Sequence, residues 1–170
     1  RDILEPGRMI AGNAGILVTQ VIFRKRGEHK DFLIVDAAMN DLIRPTLYDA
    51  HHDILPVDAD VAARRAVRTD VVGPVCETGD YLALDRMLPE ADRGDLMAVM
   101  TAGAYGAVQA GTYTTRRLVP EVLVNGDAFH VVRPRPTYEY VSVLDSTPPW
   151  LACHATPHDT CPVRTQPTTI

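Results

Sequence analysis

Residues 15–25, Gly-Ile-Leu-Val-Thr-Gln-Val-Ile-Phe-Arg-Lys, constrain the fold more than any other stretch. β-Branched and aromatic side chains fill the run, which favours a pleated, half-buried strand over a helix. A polar tip, Arg26-Gly27-Glu28-His29-Lys30, follows, and Asp31-Phe32-Leu33-Ile34-Val35-Asp36 reads as the return strand of a hairpin. Further short β segments are predicted at 54–57, 66–72, 81–85, 95–100, 121–124 and 128–133, the last two joined across Asn125-Gly126-Asp127. Many short strands separated by turns predict a mainly β chain, a sandwich or barrel, with short helices.

Two segments break this pattern. At 40–50, Asn40 and Asp41 can cap a helical turn that Pro45 breaks or restarts, with Leu42, Ile43, Leu47 and Tyr48 as its apolar side. Gly103 to Ala110, Gly-Ala-Tyr-Gly-Ala-Val-Gln-Ala, reads as a second helical interruption. Near the N-terminus, Arg1-Asp2-Ile3-Leu4 running into Pro6-Gly7 looks like the end of a strand followed by a turn. After Trp150 the composition turns to proline and threonine without apolar periodicity, and residues 151–170 read as a disordered tail.

At 170 residues and 46% apolar content the chain can bury one core. A net charge of −5 argues against a nucleic-acid partner, because phosphate binding needs a basic face. No apolar run approaches the roughly 20 residues that span a bilayer. Three scattered cysteines fit a reducing compartment, so a cytoplasmic location is expected. Lys25 and Lys30 are the only lysines, both in or beside the first hairpin tip.

Chemistry concentrates in Gly73-Pro74-Val75-Cys76-Glu77-Thr78-Gly79-Asp80, a thiol beside a carboxylate between two turn signals. On spacing alone the plainer reading, a small buried cysteine in a connecting loop, is favoured. Arg44 and Tyr48 stand at i and i+4, so a helical turn presents both on one face. There too the plainer reading, a snorkelling arginine beside a half-buried tyrosine, is favoured from spacing. His51-His52 and the tail's Cys153, His154, His158 and Cys161 fit no familiar metal-ligand spacing, and no metal site is expected.

Five motifs occur in one order: Glu5-Pro6-Gly7-Arg8; Asn40-Asp41-Leu42-Ile43-Arg44-Pro45-x-x-Tyr48-Asp49-Ala50; Gly73-Pro74-x-Cys76-Glu77-x-Gly79-Asp80; Gly103-Ala104-Tyr105-Gly106; and Glu121-Val122-Leu123-Val124. From about residue 2 to about 140 the chain resembles the C-terminal part of the diaminopimelate decarboxylases, pyridoxal-phosphate enzymes of the alanine racemase-like fold type. The resemblance implies that residues 1–8 end the last strand of a (β/α)₈ barrel, that 9–146 form the C-terminal β domain, and that 147–170 are a tail. A whole barrel takes roughly 250 residues. The TIM-barrel domain and the lysine that anchors the cofactor are therefore expected outside this chain, which alone should be inactive.

The resemblance also implies roles. Glu5, Pro6, Gly7 and Arg8 would lie by the cofactor, with Tyr105 near its phosphate and the substrate. Arg8, Arg44 and Tyr48 would hold the substrate's distal carboxylate, Glu77 its distal ammonium, and Cys76 would return a proton to Cα. The implied reaction is the lyase step of lysine biosynthesis, meso-2,6-diaminopimelate to L-lysine and carbon dioxide, in a homodimer with shared active sites. Rival readings are a decarboxylase for ornithine, arginine or carboxynorspermidine, and a non-catalytic β module that pairs with a full-length decarboxylase. The chain departs from the family at Gly111-Thr112-Tyr113-Thr114-Thr115-Arg116-Arg117, where the family shows Ser-x-Tyr-Asn-x-Arg-Pro. Thr114 and Arg117 at those places bear on the shape of the segment more than on its chemistry.

Overall fold

The structure, a computed structural model, describes residues 3, 6–143, 145–148 and 151. Six strands form one sheet: β1 (Leu17–Lys25), β2 (Asp31–Val35), β3 (Ile54–Pro56), β4 (Ala66–Val72), β5 (Tyr81–Pro89) and β6 (Leu96–Val99), in the order β3-β6-β1-β2-β4-β5. β1 is shared by two pairings. Its first half runs antiparallel to β6, with Leu17 opposite Val99, and its second half antiparallel to β2, with Lys25 opposite Phe32. The ladder slips between Val21 and Phe23, and there the Val21 amide and carbonyl bond Asp95 O and Gly94 N, each at 2.9 Å. An irregularity of this kind bends a strand and raises its twist. β2 and β4 are parallel; the other pairs are antiparallel.

The curled sheet nearly closes. Arg86 on β5 donates to His52 O at 3.0 Å and to His51 Nδ1 at 2.8 Å, joining one edge of the sheet to the segment that feeds β3 at the other. Of the two all-β architectures expected, the sheet takes the barrel-like one. Val21, Leu33, Val35, Ile54, Val71, Leu82, Leu88, Met97 and Val99 fill the interior, with Leu42 and Val61 from the connecting segments. Those residues come from all six strands, so no part of the sheet has a core of its own.

Most predicted strands fall where expected, with instructive differences. β5 runs past the expected end at 85 because Asp85 adopts φ +57 and its amide bonds Asp70 Oδ1 at 2.7 Å. The chain bulges at that point and resumes its pairing. Residues 103–110 are not a helix. Gly103 packs so closely on the N-terminal segment that a Cβ would stand 2.3 Å from Ala11 O, Tyr105 takes φ +57, and only Ala107–Gln109 form a 3₁₀ turn. At the tip, Lys30 Nζ reaches the buried carboxylate of Asp70 at 2.5 Å.

The short helices among the described residues were only partly legible. α1 (Gly7–Ala11) begins where the reading placed a turn, and it continues as a 3₁₀ turn at Gly12–Ala14. The strand expected before it lies largely outside the described residues. α2 (Arg44–Tyr48) falls within the predicted 40–50 helical segment. α3 (Ala59–Ala62) is capped by Asp58, whose side chain accepts the Asp60 amide at 2.7 Å.

A separate hairpin, β7 (Glu121–Asn125) and β8 (Ala128–Arg133), turns through Gly126 at φ +59 and exposes Leu123, Val124 and Phe129. One compact unit ends at Pro136. From Thr137 a second unit contains α4 (Tyr138–Ser142), capped by Thr137 Oγ1, which accepts the Tyr140 amide at 3.2 Å. Cys153, His154, His158 and Cys161 lie outside the described residues.

Candidate functional site

α2 starts with Pro45 in its first turn, where a missing N–H costs no helical hydrogen bond, and stops at Asp49, which is left-handed at φ +53. The helix presents Arg44 and Tyr48 on one face, as their spacing predicts. The Arg44 guanidinium stands 5.8 Å from the centre of the Tyr48 ring and 5.7 Å from that of Tyr105. Both rings are about half exposed, yet Arg44 keeps only 9% of its surface. A snorkelling arginine would keep its head in water, so the plainer reading fails here. Its buried Nε–H has no partner among the described residues, leaving the cation with unused donor capacity at the edge of a two-ring aromatic frame.

Tyr105 owes its place to strained backbone. A tyrosine at φ +57 is uncommon, and such strain persists only where the surroundings impose it. Here the turn before it is fastened to the N-terminal segment: Gly103 N bonds Gly12 O at 3.0 Å, Ala102 N bonds Gly15 O at 2.8 Å, and Thr101 Oγ1 donates to Asn13 Oδ1 at 3.0 Å. The same docking brings α1, with exposed Arg8, toward the Tyr105 turn.

His52 lies behind these cations and is 1% exposed. Its Nδ1–H donates to Met100 O at 2.8 Å, so the neutral ring keeps its lone pair on the buried Nε2. Burial pushes its pKa down; the Met100 bond opposes this, and Arg44, Arg8 and His51 add to the downward push. His51 instead bonds Asp53 Oδ1 at 3.0 Å, which lowers the Asp53 pKa. The two adjacent histidines thus do separate structural jobs. No group of three or more potential metal ligands occurs among the described residues.

The 73–80 loop carries Cys76 and Glu77 and is exposed at both. The buried Asp80 carboxylate holds it from beneath, accepting the Val75 amide and the Met39 amide, each at 2.6 Å, while Gly73 N bonds Asp80 O at 3.0 Å. Thr46 on α2 donates its hydroxyl to Gly79 O, and Tyr81 reaches Pro45 O at 3.5 Å. The loop is therefore strapped to the helix that carries Arg44. Glu77 accepts the Gly79 amide on Oε1 and the Tyr113 hydroxyl on Oε2, both at 3.5 Å.

Asn40 and Asp41 do not cap α2, which has no side-chain cap. Asn40 Nδ2 bonds Tyr113 O at 2.8 Å and Gly111 O at 3.1 Å, and Asp41 accepts the Ala38 amide at 2.9 Å with Arg116 3.6 Å away. Burial pushes the Asp41 pKa up, against that amide and the nearby arginines. Both residues serve tertiary contacts that local sequence cannot announce.

The structure thus gathers Arg44, Tyr48 and Tyr105 directly, sets Arg8 near the Tyr105 turn, and straps the Cys76–Glu77 loop to α2. Pro6 precedes α1, and Glu5 lies outside the described residues. Sequence reading missed Thr46, His52 and Tyr113 as members of this neighbourhood, and treated Asp80 as a turn residue. Lys30 is engaged with Asp70, and Lys25 lies on β1, so neither belongs to this group.

Residues 9–103 match the model of the pyridoxal-dependent decarboxylase C-terminal sheet domain. Diaminopimelate decarboxylase of Aquifex aeolicus is 52% identical over 139 residues, covering 82% of this chain and 33% of the relative. That of Pseudomonas aeruginosa is 54% identical over 147 residues, 86% of this chain and 35% of the relative. The crystal structure of diaminopimelate decarboxylase from Helicobacter pylori complexed with L-lysine superposes with a TM-score of 0.74 at 39% identity, over 81% of this chain and 33% of that one. The chain spans about one third of the length of these relatives. On its fold, its strapped loop and these matches, the chain belongs to the pyridoxal-dependent decarboxylases, as their C-terminal sheet domain.

Proposed function

We propose that this chain is the sheet-domain portion of a diaminopimelate decarboxylase, converting meso-2,6-diaminopimelate to L-lysine and carbon dioxide once joined to a pyridoxal-phosphate-binding barrel. The observation that carries the reading is the buried Arg44, framed by Tyr48 and Tyr105, with the Glu77 loop strapped to its helix. A site that combines a guanidinium with a carboxylate suits a distal group that is itself zwitterionic. A site for ornithine or arginine would read only a distal cation, which the arginine would repel.

The residues present fit the phosphate and substrate end of pyridoxal phosphate but not its covalent anchor, since Lys25 and Lys30 lie on the β1–β2 hairpin. When bound, the cofactor supplies the electron sink that decarboxylation requires. Arg8 and Arg44 fork onto the distal carboxylate, and Tyr48 adds a hydroxyl donor. Glu77 takes the distal ammonium. Tyr105, with Glu5, Pro6, Gly7 and Arg8, would hold the cofactor at its phosphate end. Cys76 holds the proton that returns to Cα; as an exposed thiol on a loop tip it is able to serve a site completed by another subunit. In this reading the active unit is a homodimer.

Steady-state kinetics of a full-length decarboxylase carrying this segment test the proposal. Arg44→Met and Glu77→Gln should each raise KM for meso-diaminopimelate at least about tenfold, as loss of a hydrogen-bonded ion pair does. Unchanged turnover of diaminopimelate by both variants would favour another diamino substrate.

A further inference from the structure

We propose that Tyr113 is a positioning residue that orients the Glu77 carboxylate, and so sets the preference for a substrate whose far end carries an ammonium group. The inference deepens the reading of Glu77 just given and rests on it. Glu77's main chain is already set by its loop, with its amide on Val75 O at 2.8 Å and its carbonyl accepting the Asp80 amide at 3.0 Å. Its side chain is held more loosely. Gly79 N restrains one oxygen and the Tyr113 hydroxyl the other, each at 3.5 Å. A carboxylate accepts about four hydrogen bonds, so two such contacts leave lone pairs free for a cation while limiting rotation.

The segment that carries Tyr113 is built for placement. Asn40, only 5% exposed, bonds both Gly111 O and Tyr113 O, and accepts the Gly111 amide on its own carbonyl at 3.0 Å. At the other end Arg116 Nη2 donates to Asp36 O at 2.7 Å. Between the two anchors Thr114 and Thr115 are left-handed, at φ +57 and +60. Two consecutive β-branched residues rarely adopt that backbone, and they do so here because both flanks are pinned. The ring itself is about half exposed, so its hydroxyl is not spoken for by the core.

The test compares meso-diaminopimelate with 2-aminopimelate, which lacks the distal amino group, in a full-length decarboxylase carrying this segment. Tyr113→Phe should raise KM for diaminopimelate about fivefold to tenfold, leave kcat within about twofold, and leave 2-aminopimelate unaffected, as expected for one lost hydrogen bond to a charged group. In the Glu77→Gln background Tyr113→Phe should add nothing. Equal effects on both substrates, or additive effects in the double variant, would overturn the proposal. A readout without turnover separates the two claims: the Glu77 ¹³Cδ resonance should move in Tyr113→Phe. If it stays fixed, Tyr113 does not orient Glu77. If it moves while Glu77→Gln leaves the substrate preference unchanged, the positioning stands and the assignment of Glu77 to the ammonium falls.

Discussion

Asp80 accepts the Met39 amide at 2.6 Å across a separation that no local pattern bridges, and thereby ties the 73–80 loop to the segment that leads into α2. The same carboxylate takes the Val75 amide at 2.6 Å. Asp80→Ala leaves two donors without partners, so we expect a loss of about 2–4 kcal/mol. Urea denaturation measures it, and a loss well under 1 kcal/mol would mean that the loop closes without this carboxylate.

Gly73 lies over that carboxylate. A Cβ at 73 would stand 2.4 Å from both Asp80 oxygens, so Gly73→Ala must push the carboxylate off its amide donors. We expect about 1–3 kcal/mol of destabilisation, in the range of overpacking a filled site. Hydrogen exchange should show faster exchange at the Val75 and Met39 amides in this variant.

Thr114 carries a conformational cost, since its backbone is left-handed at φ +57. Asparagine tolerates left-handed backbone better than a β-branched residue, so Thr114→Asn should raise stability by about 1 kcal/mol. Thermal denaturation reads this directly, and a lowered midpoint would show that the threonine has a compensating contact.

Acid should act on the first hairpin through Glu90. Arg24 and then Arg65 hold its carboxyl down to about 2, below the ordinary 4.5. A depressed carboxylate stabilises the fold above the unfolded value and loses that contribution as pH falls. The expected loss therefore runs between pH 4.5 and about 2. Glu90→Gln should flatten this limb in acid-denaturation curves.

His52 acts at higher pH and with the same sense. Its pKa is lowered by burial and by Arg44, so the unfolded chain takes up the proton first. Stability is level above the ordinary value of 6.5 and declines as pH drops below it. His52→Gln should remove that decline while leaving the Glu90 limb in place. A curve unchanged in both windows would count against neutral burial of this ring.

The sheet was legible in sequence because its signals are local: β-branched runs of strand length, Asn125-Gly126 at a hairpin, and polar residues at a tip. The family was legible as five ordered motifs, and Arg44 with Tyr48 as an i, i+4 pair. Local signals failed where a residue's partner lies far along the chain. Asn40 and Asp41 look like helix caps, yet their side chains serve Tyr113 and Ala38. Gly103 to Ala110 has the alanine content of a helix, but the close approach of Gly103 to Ala11 forbids a regular one.

What the sequence alone determined is the set of strands, their turns and the chemical types at the site, since backbone preference and side-chain spacing act within a few residues. Only the tertiary structure decided that the sheet curls, that Arg44 is buried between two rings, that Asp80 and Thr46 tie the Cys76–Glu77 loop to α2 and the segment before it, and that Tyr113 meets Glu77. Each of those depends on burial and on hydrogen bonds between segments distant in sequence, whose energies exist only after the sheet has closed around its core.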